Sequence, residues 1–355
     1  MSPSDKHIIF VLNPGSTSTK LGVFEGEREL KREILSHLQS AGMTRQSMWE
    51  DFGTRLATVR TWFGETKVRP AAVAAIGGLL KPVVSGTYLV NTRMIEDARK
   101  NLQGEHASNL GCALAHELAT DYGCPAYVVD PVSTDEMGPL ARYSGHPSIE
   151  RKSLSHALNI HAAARRAAGE LGRSSASSSF VVAHLGGGIS VAPVKNGKII
   201  DVNDASSDGP FSPERTGGLP LQAVISLAFS GRTTEAEMKA MVMGKGGLAA
   251  YLGTKSAEEI EERIREGDSN AAEVYEAMAY QISKEIGAMA TVISGSLDAV
   301  ILTGGLASSA RLAGWIESSV RFLGPVLVYP GEHELLALAQ GASRVLRGEE
   351  SAKEY

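Results

Sequence analysis

The chain has 355 residues, 43% of them apolar and 21% charged, with a formal net charge of −5. That length points to two domains or one large α/β unit, and the negative balance disfavours a nucleic-acid partner, which selects a basic surface. The two cysteines, Cys112 and Cys124, lack metal-ligand spacing and read as reduced thiols, and no apolar run reaches the ~18 residues of a membrane span, so a cytoplasmic protein with no membrane partner is expected.

Ile8 to Leu12 is a short apolar run, too short for a signal-peptide core, and reads as a buried strand. A polar turn follows, Asn13-Pro14-Gly15-Ser16-Thr17-Ser18-Thr19, and Lys20 to Phe24 reads as the returning strand. Leu110, Leu114 and Leu118 recur at helical spacing, and that helix should stop near Gly123-Cys124-Pro125. Ala126 to Val129 reads as a strand ending at Asp130.

The opening pattern recurs downstream: strand Phe180 to His184, turn Gly186-Gly187-Gly188, return Ile189 to Val194, then an Asn196-Gly197 hairpin signal. Two strand–Gly turn–strand units about 170 residues apart suggest a duplicated architecture. The serine-rich stretch Ser174 to Ser179 reads as a loop at the domain boundary. Ser256-Ala257-Glu258-Glu259 has capping-box form. Met278, Ile282, Ile286, Met289 and Ile293 form one core-facing stripe on a long helix ending near Gly295. A strand over Leu297 to Thr303 closes at Gly304-Gly305, and a last helix runs from about Glu334 to Leu346. Strands and helices mix throughout, so the class is α/β.

Three glycine-rich turns thus follow buried strands. In the first, the Ser16 and Ser18 hydroxyls, the Gly15 region amides and Lys20 can meet phosphate oxygens. In the second and third, Gly186, Gly187 and Gly188, then Gly304 and Gly305, let backbone amides approach an anion. A glycine turn after a strand is commonly just a turn, but three in one chain, two of them in a repeated unit, point to phosphate binding. The dinucleotide fingerprint and the Walker loop are both absent.

The residues allow a narrower match. Asn13 to Lys20 resembles the opening signature of the acetate and butyrate kinases. Gly86 to Asn91, Gly104 to Gly111, Asp130-Pro131-Val132, Glu150 to Asn159, Gly209 to Gly217 and Tyr329 to Glu334 resemble the butyrate branch, in order along nearly the whole chain. The resemblance implies two duplicated ribonuclease H-like domains of the actin-like ATPase type with ATP in an interdomain cleft. Residues 1–172 would form an acid-substrate and phosphate domain, with helix 334–355 packing back on it, and residues 173–333 a nucleotide-binding domain. It also implies Mg²⁺, a small carboxylate substrate, and a homodimer or larger homo-oligomer.

Phosphoryl transfer to a carboxylate joins two anions, so the site must collect positive charge. Arg215, a planar guanidinium in a Gly/Pro-rich loop, is the candidate for transition-state charge; the alternative is an ion pair with Glu214 or Asp208. By resemblance, His156 hydrogen-bonds the transferring group and His184 orients phosphate, although both also suit structural positions. His106 and Asn109 are expected near the acid. Asp130 is a candidate for orienting a metal-bound water or Arg215, against a plain Asp turn before proline. Asn13 and Glu334 are the implied magnesium partners, with Glu332 as the competing carboxylate. One stretch departs from the family: Ala74 to Pro82 carries no arginine beside Gly77-Gly78, and Lys81 is the nearest cation. The reading is a kinase of butanoate or a similar short or branched acid. The alternatives are a kinase of acetate or propionate, and a nucleotide-binding member without turnover.

Overall fold

A computed structural model describes residues 7–37 and 47–355. In chain order the strands and helices are β1 (Ile8–Pro14), β2 (Ser18–Glu25), β3 (Arg28–Ser36), α1 (Phe52–Glu65), β4 (Ala72–Ile76), β5 (Thr87–Leu89), α2 (Thr92–Arg99), α3 (Gly111–Tyr122), β6 (Ala126–Val129) and α4 (Ala157–Glu170). Then come β7 (Ser179–Leu185), β8 (Ile189–Lys195), β9 (Lys198–Ile199), α5 (Leu221–Ala228), α6 (Glu235–Val242), α7 (Gly247–Leu252), α8 (Ala257–Arg265) and α9 (Ser269–Val292). The chain ends with β10 (Ala299–Gly304), α10 (Ala310–Val320), β11 (Val326–Pro330), α11 (Glu334–Leu346) and β12 (Lys353–Glu354).

Two compact units result. The first holds the chain up to Asp135 together with His333–Tyr355, and the second holds Glu136–Glu332. Sheet order in the first is β12-β5-β6-β4-β1-β2-β3, and in the second β11-β10-β7-β8-β9. In each, an antiparallel three-strand meander (β1–β2–β3, or β7–β8–β9) continues into two parallel strands on its first member's other side (β4 and β6, or β10 and β11). The same order and sense in both sheets is the duplication that the repeated turns suggested.

Alternation along the strands explains the layers. In the second unit Val181 and Ala183 face the cluster built on α9 and α10. Phe180 and Val182 face the opposite cluster, which contains Ala157, Ile160, Ala164 and Ala167 of α4. The α9 stripe is buried as expected. In the first unit Phe10 and Leu12 join α1 and α3 in one core, where Phe10 stacks on Phe63 at 4.2 Å. α11 covers the other face, against β1, β4 and β6.

The boundary expected after residue 172 falls earlier. α4 belongs to the second unit because its alanine-rich side is part of the β7 and β10 core. The serine-rich stretch is a short 3₁₀ turn, Ser175–Ser177, inside that unit. The final helix, α11, lies in the first unit with the rest of His333–Tyr355. Among the described residues, no helix is long and apolar enough to cross a membrane.

Candidate active site

In open α/β sheets, ligand groups gather at the carboxyl ends of parallel strands. In the first unit β1, β4 and β6 run parallel in register, Leu12 beside Ala75 and Ile76 beside Val129. Their carboxyl ends therefore bring the Asn13–Thr19 turn, Gly77-Gly78 and Asp130 to one sheet edge. Asn13 and Lys20 face each other across the β1–β2 hairpin. Asn13 Nδ2 donates to Glu334 Oε2 at 2.5 Å, and Lys20 Nζ lies 3.3 Å from the same oxygen. Glu334, the first residue of α11, is thus held at the turn, whereas Glu332 lies in the other unit.

This cluster fits a magnesium ion held mainly through water. It offers one carboxylate, Glu334, and one amide oxygen, Asn13 Oδ1, which suffice for an ion that keeps most of its waters. No group of three or more His, Cys, Asp or Glu suited to a metal occurs among the described residues, and magnesium does not require one.

Asp130 is 1% exposed with φ +37°, and its Oδ1 accepts the Gly86 N–H at 2.7 Å. Its carboxylate therefore braces the chain entering β5. His106 is exposed and caps a short 3₁₀ turn, its Nδ1 2.7 Å from Ser108 Oγ. Asn109, expected to meet substrate, is instead 1% exposed with its amide committed. Its Oδ1 accepts Leu79 N–H at 2.8 Å, and its Nδ2 donates to Asn101 Oδ1 at 3.0 Å and Gly104 O at 3.1 Å. It clamps the chain after β4, and Gly78 permits the approach, since a Cβ there would lie 2.6 Å from Asn109 Cα. Lys81 does not replace the missing arginine as a fork: its Nζ sits 3.9 Å over the Tyr355 ring.

Sequence reasoning missed Arg55. It lies on α1 at 1% exposure and donates to Gly15 O at 2.8 Å and Ser16 O at 3.1 Å. Its only sequence signal is an arginine within the apolar-spaced helix Leu56, Val59, Phe63.

The second unit assembles the other candidates around the β7–β8 turn. The His156 and His184 rings stack at 4.2 Å, and His156 Nδ1 is 2.9 Å from Ser190 Oγ. A Cβ on Gly186 would lie 3.2 Å from His184 Nε2. Arg215 crosses the same turn: a Cβ on Gly188 would lie 2.6 Å from its Cζ. Arg215 Nη1 donates to Ala205 O at 2.8 Å, while its buried Nε has no hydrogen-bond partner among the described residues. Burial lowers the Arg215 pKa, opposed by Glu214 and Asp204; a guanidinium stays charged regardless. The expected alternative, an ion pair with Glu214 or Asp208, is absent among the described residues; Glu214 Oε2 instead lies 2.9 Å from Lys255 Nζ. Beside this cluster lies a cavity of ≈ 620 Å³ lined by Gly186, Gly187, Glu214, Lys255, Glu261, Gly305, Ser309 and other residues. Its size suits a small-molecule ligand, and its rim joins the second glycine turn to the third. A desolvated arginine with an orphan N–H, laid over bare backbone, is an arrangement prepared for an anion.

Comparison with known proteins bears on the chemistry. The acetokinase family model matches residues 149–347. The chain is 49% identical over 350 residues to a probable butyrate kinase 2 of Caldanaerobacter subterraneus subsp. tengcongensis, covering 98% of this chain and 99% of that one. It is 46% identical over 354 residues to butyrate kinase 2 of Clostridium acetobutylicum, covering 99% of each. Among solved structures, an acetate kinase of Porphyromonas gingivalis superposes with a TM-score of 0.78 at 18% identity, covering 95% of this chain and 99% of that one. A propionate kinase of Francisella tularensis gives 0.76 at 20% identity, covering 94% and 98%. At those identities the two structures bear on the fold alone.

Proposed function

This chain belongs to the acetokinase family, and from that premise we propose that it acts as a butyrate kinase, converting ATP and butanoate, or a similar short or branched acid, into ADP and the acyl phosphate. The observation that carries the reading is full-length identity near one half to butyrate kinases, joined to a site that lays the Arg215 guanidinium across a glycine turn.

The reaction is a direct in-line displacement. A carboxylate oxygen attacks the γ-phosphorus, the bond to the β,γ-bridging oxygen breaks, and the electron pair leaves with ADP. Four charges on ATP and one on the acid become three on ADP and two on the acyl phosphate, so no proton moves. The protein therefore needs no general base. It must neutralise charge and align the groups.

In the second unit, the cavity holds the nucleotide, with Gly186, Gly187, Gly188, Gly304 and Gly305 presenting backbone to its phosphates. Arg215, laid across the glycine turn, stabilises the charge on the transferring phosphoryl group. His156, held by Ser190, donates to the same group, and His184 backs it by stacking. In the first unit, the Asn13–Lys20 turn and Lys20 meet phosphate, and His106 lies near the acid. Asn13 and Glu334 would hold Mg²⁺ through water, and the ion's chemistry when bound is neutralisation of phosphate charge. Asp130 and Asn109 keep the sheet edge in shape. A cytoplasmic location and self-association belong to the same proposal. The latter is supported by the apolar row Leu221, Ile225 and Phe229 on and just after α5, which is 74%, 51% and 88% exposed.

Trapping acyl phosphate as its hydroxamate tests the reading. Wild type should form it from butanoate, Arg215→Ala should lose about 10³-fold or more in kcat, and His156→Ala about 10²-fold. A wild-type enzyme making no acyl phosphate from any short acid, while binding ATP, would instead establish the member without turnover.

A further inference from the structure

We infer that Arg55 is a positioning residue that turns two backbone N–H groups of the first glycine turn outward as a ready-made phosphate contact. This rests on the reading of Asn13–Lys20 as a phosphate turn, and goes beyond it by naming what sets the turn's shape.

An arginine at 1% exposure is costly, because burial removes its hydration. Here its fork spans two successive carbonyls, Nη1 on Gly15 O at 2.8 Å and Nη2 on Ser16 O at 3.1 Å. Nη1 also lies 3.4 Å from Thr19 Oγ1, which is buried and 2.7 Å from His37 Nε2. The next carbonyl, Thr17 O, accepts His37 N–H at 2.7 Å.

No cis peptide bond occurs among the described residues. In a trans peptide the C=O and the following N–H point in opposite directions. Tying Gly15 O and Ser16 O to one guanidinium therefore points Ser16 N–H and Thr17 N–H away from it. Both residues are exposed, and neither N–H donates to any described residue. Two successive outward amides make an anion contact, and Lys20 and Asn13 flank it. A lysine has no planar fork and can grip one carbonyl well but not two. The interior position thus has a specific reason to be arginine. Positive charge in the first unit comes from beneath the turn as well as from Lys20.

The test uses the whole enzyme, with each variant first shown folded by circular dichroism and a cooperative melt. Arg55→Met should lower kcat about 30-fold or more while KM for ATP moves less than about threefold, since loss of oriented backbone donors weakens the transition state more than ground-state binding. Arg55→Lys should recover part of the loss, and Arg55→Gln should fall about tenfold by the same measure. A folded Arg55→Met with kcat within about twofold of wild type overturns the inference. Should that variant not fold, Arg55→Gln decides. The wild type gives an independent readout: with Mg²⁺ and a non-hydrolysable ATP analogue, the Ser16 and Thr17 amide resonances should move downfield, and unmoved resonances overturn the inference. Lys20→Met separates the two levels. If it leaves kinetics intact, the phosphate reading of the turn falls. If it impairs them while Arg55→Met does not, only the role of Arg55 falls.

Discussion

Gly188→Ala isolates Arg215 without touching it. The added Cβ would stand 2.6 Å from Arg215 Cζ, where carbon atoms in contact prefer about 3.5–4.0 Å. The guanidinium must therefore retreat by about 1 Å or more, and its bond to Ala205 O, 2.8 Å long, must lengthen or break. Because the displaced atoms end a flexible side chain, the fold should absorb the change cheaply, and Gly188 has no positive φ that alanine would strain. A misplacement of about 1 Å in a group that stabilises the transition state costs about 10²-fold in rate, or about 2.7 kcal/mol. The assay is kcat for acyl hydroxamate formation at saturating ATP and butanoate, beside the melting temperature. We expect kcat to fall about 10²-fold. Added to Arg215→Ala, the same substitution should cost little more, because both act on one group. A kcat within about threefold of wild type, or full additivity with Arg215→Ala, would refute the placement of Arg215 over the turn.

Three further outcomes follow from the structure. Burial raises the Glu285 carboxyl pKa, with Asp208 adding to the effect. Its ionised form therefore costs stability above that pKa, and the cost disappears as the group protonates. Glu285→Gln should raise the melting temperature near pH 8, and the gain should shrink toward about pH 4, where the unfolded chain's glutamate also protonates. Burial pushes the Cys112 thiol up to about 12, and raises Cys124 as well. Both should resist a thiol reagent at pH 7 in the native protein and react only after denaturation. Finally, Ile225→Glu with Phe229→Asp should lower the mass seen in sedimentation velocity; an unchanged mass would clear α5 of any role in self-association.

The parts legible from sequence were those decided locally. The paired strands β1–β2 and β7–β8 showed as apolar runs broken by glycine turns, and α9 showed as a five-residue stripe, because burial and turn chemistry write themselves at short range. Glu334 was matched to Asn13 by motif, and α11 carries it there. The missed features depend on long-range packing. An arginine in a helix reads as a solvated residue, and only the fit of α1 beneath the β1–β2 turn buries Arg55. Asn109 sits in a distinctive motif because it clamps Leu79, a reason that its neighbours in sequence do not reveal. Lys81 read as a candidate cation until the chain's last residue, Tyr355, lay beneath it. The α5 segment, Leu221–Ala228, is apolar in composition, yet none of its residues is buried. Its apolar residues Leu221 and Ile225 are exposed instead, the surface that the proposed self-association would cover.

The central claim is transfer of the ATP phosphoryl group to a carboxylate oxygen, and isotopic oxygen follows it. With butanoate labelled by ¹⁸O in the carboxylate, the oxygen that attacks phosphorus becomes the bridge of the acyl phosphate. Hydroxylamine then attacks the carbonyl carbon and releases phosphate carrying that bridge. The account expects one ¹⁸O in each phosphate released. Phosphate free of label, or ATP bound with no hydroxamate formed, would contradict it.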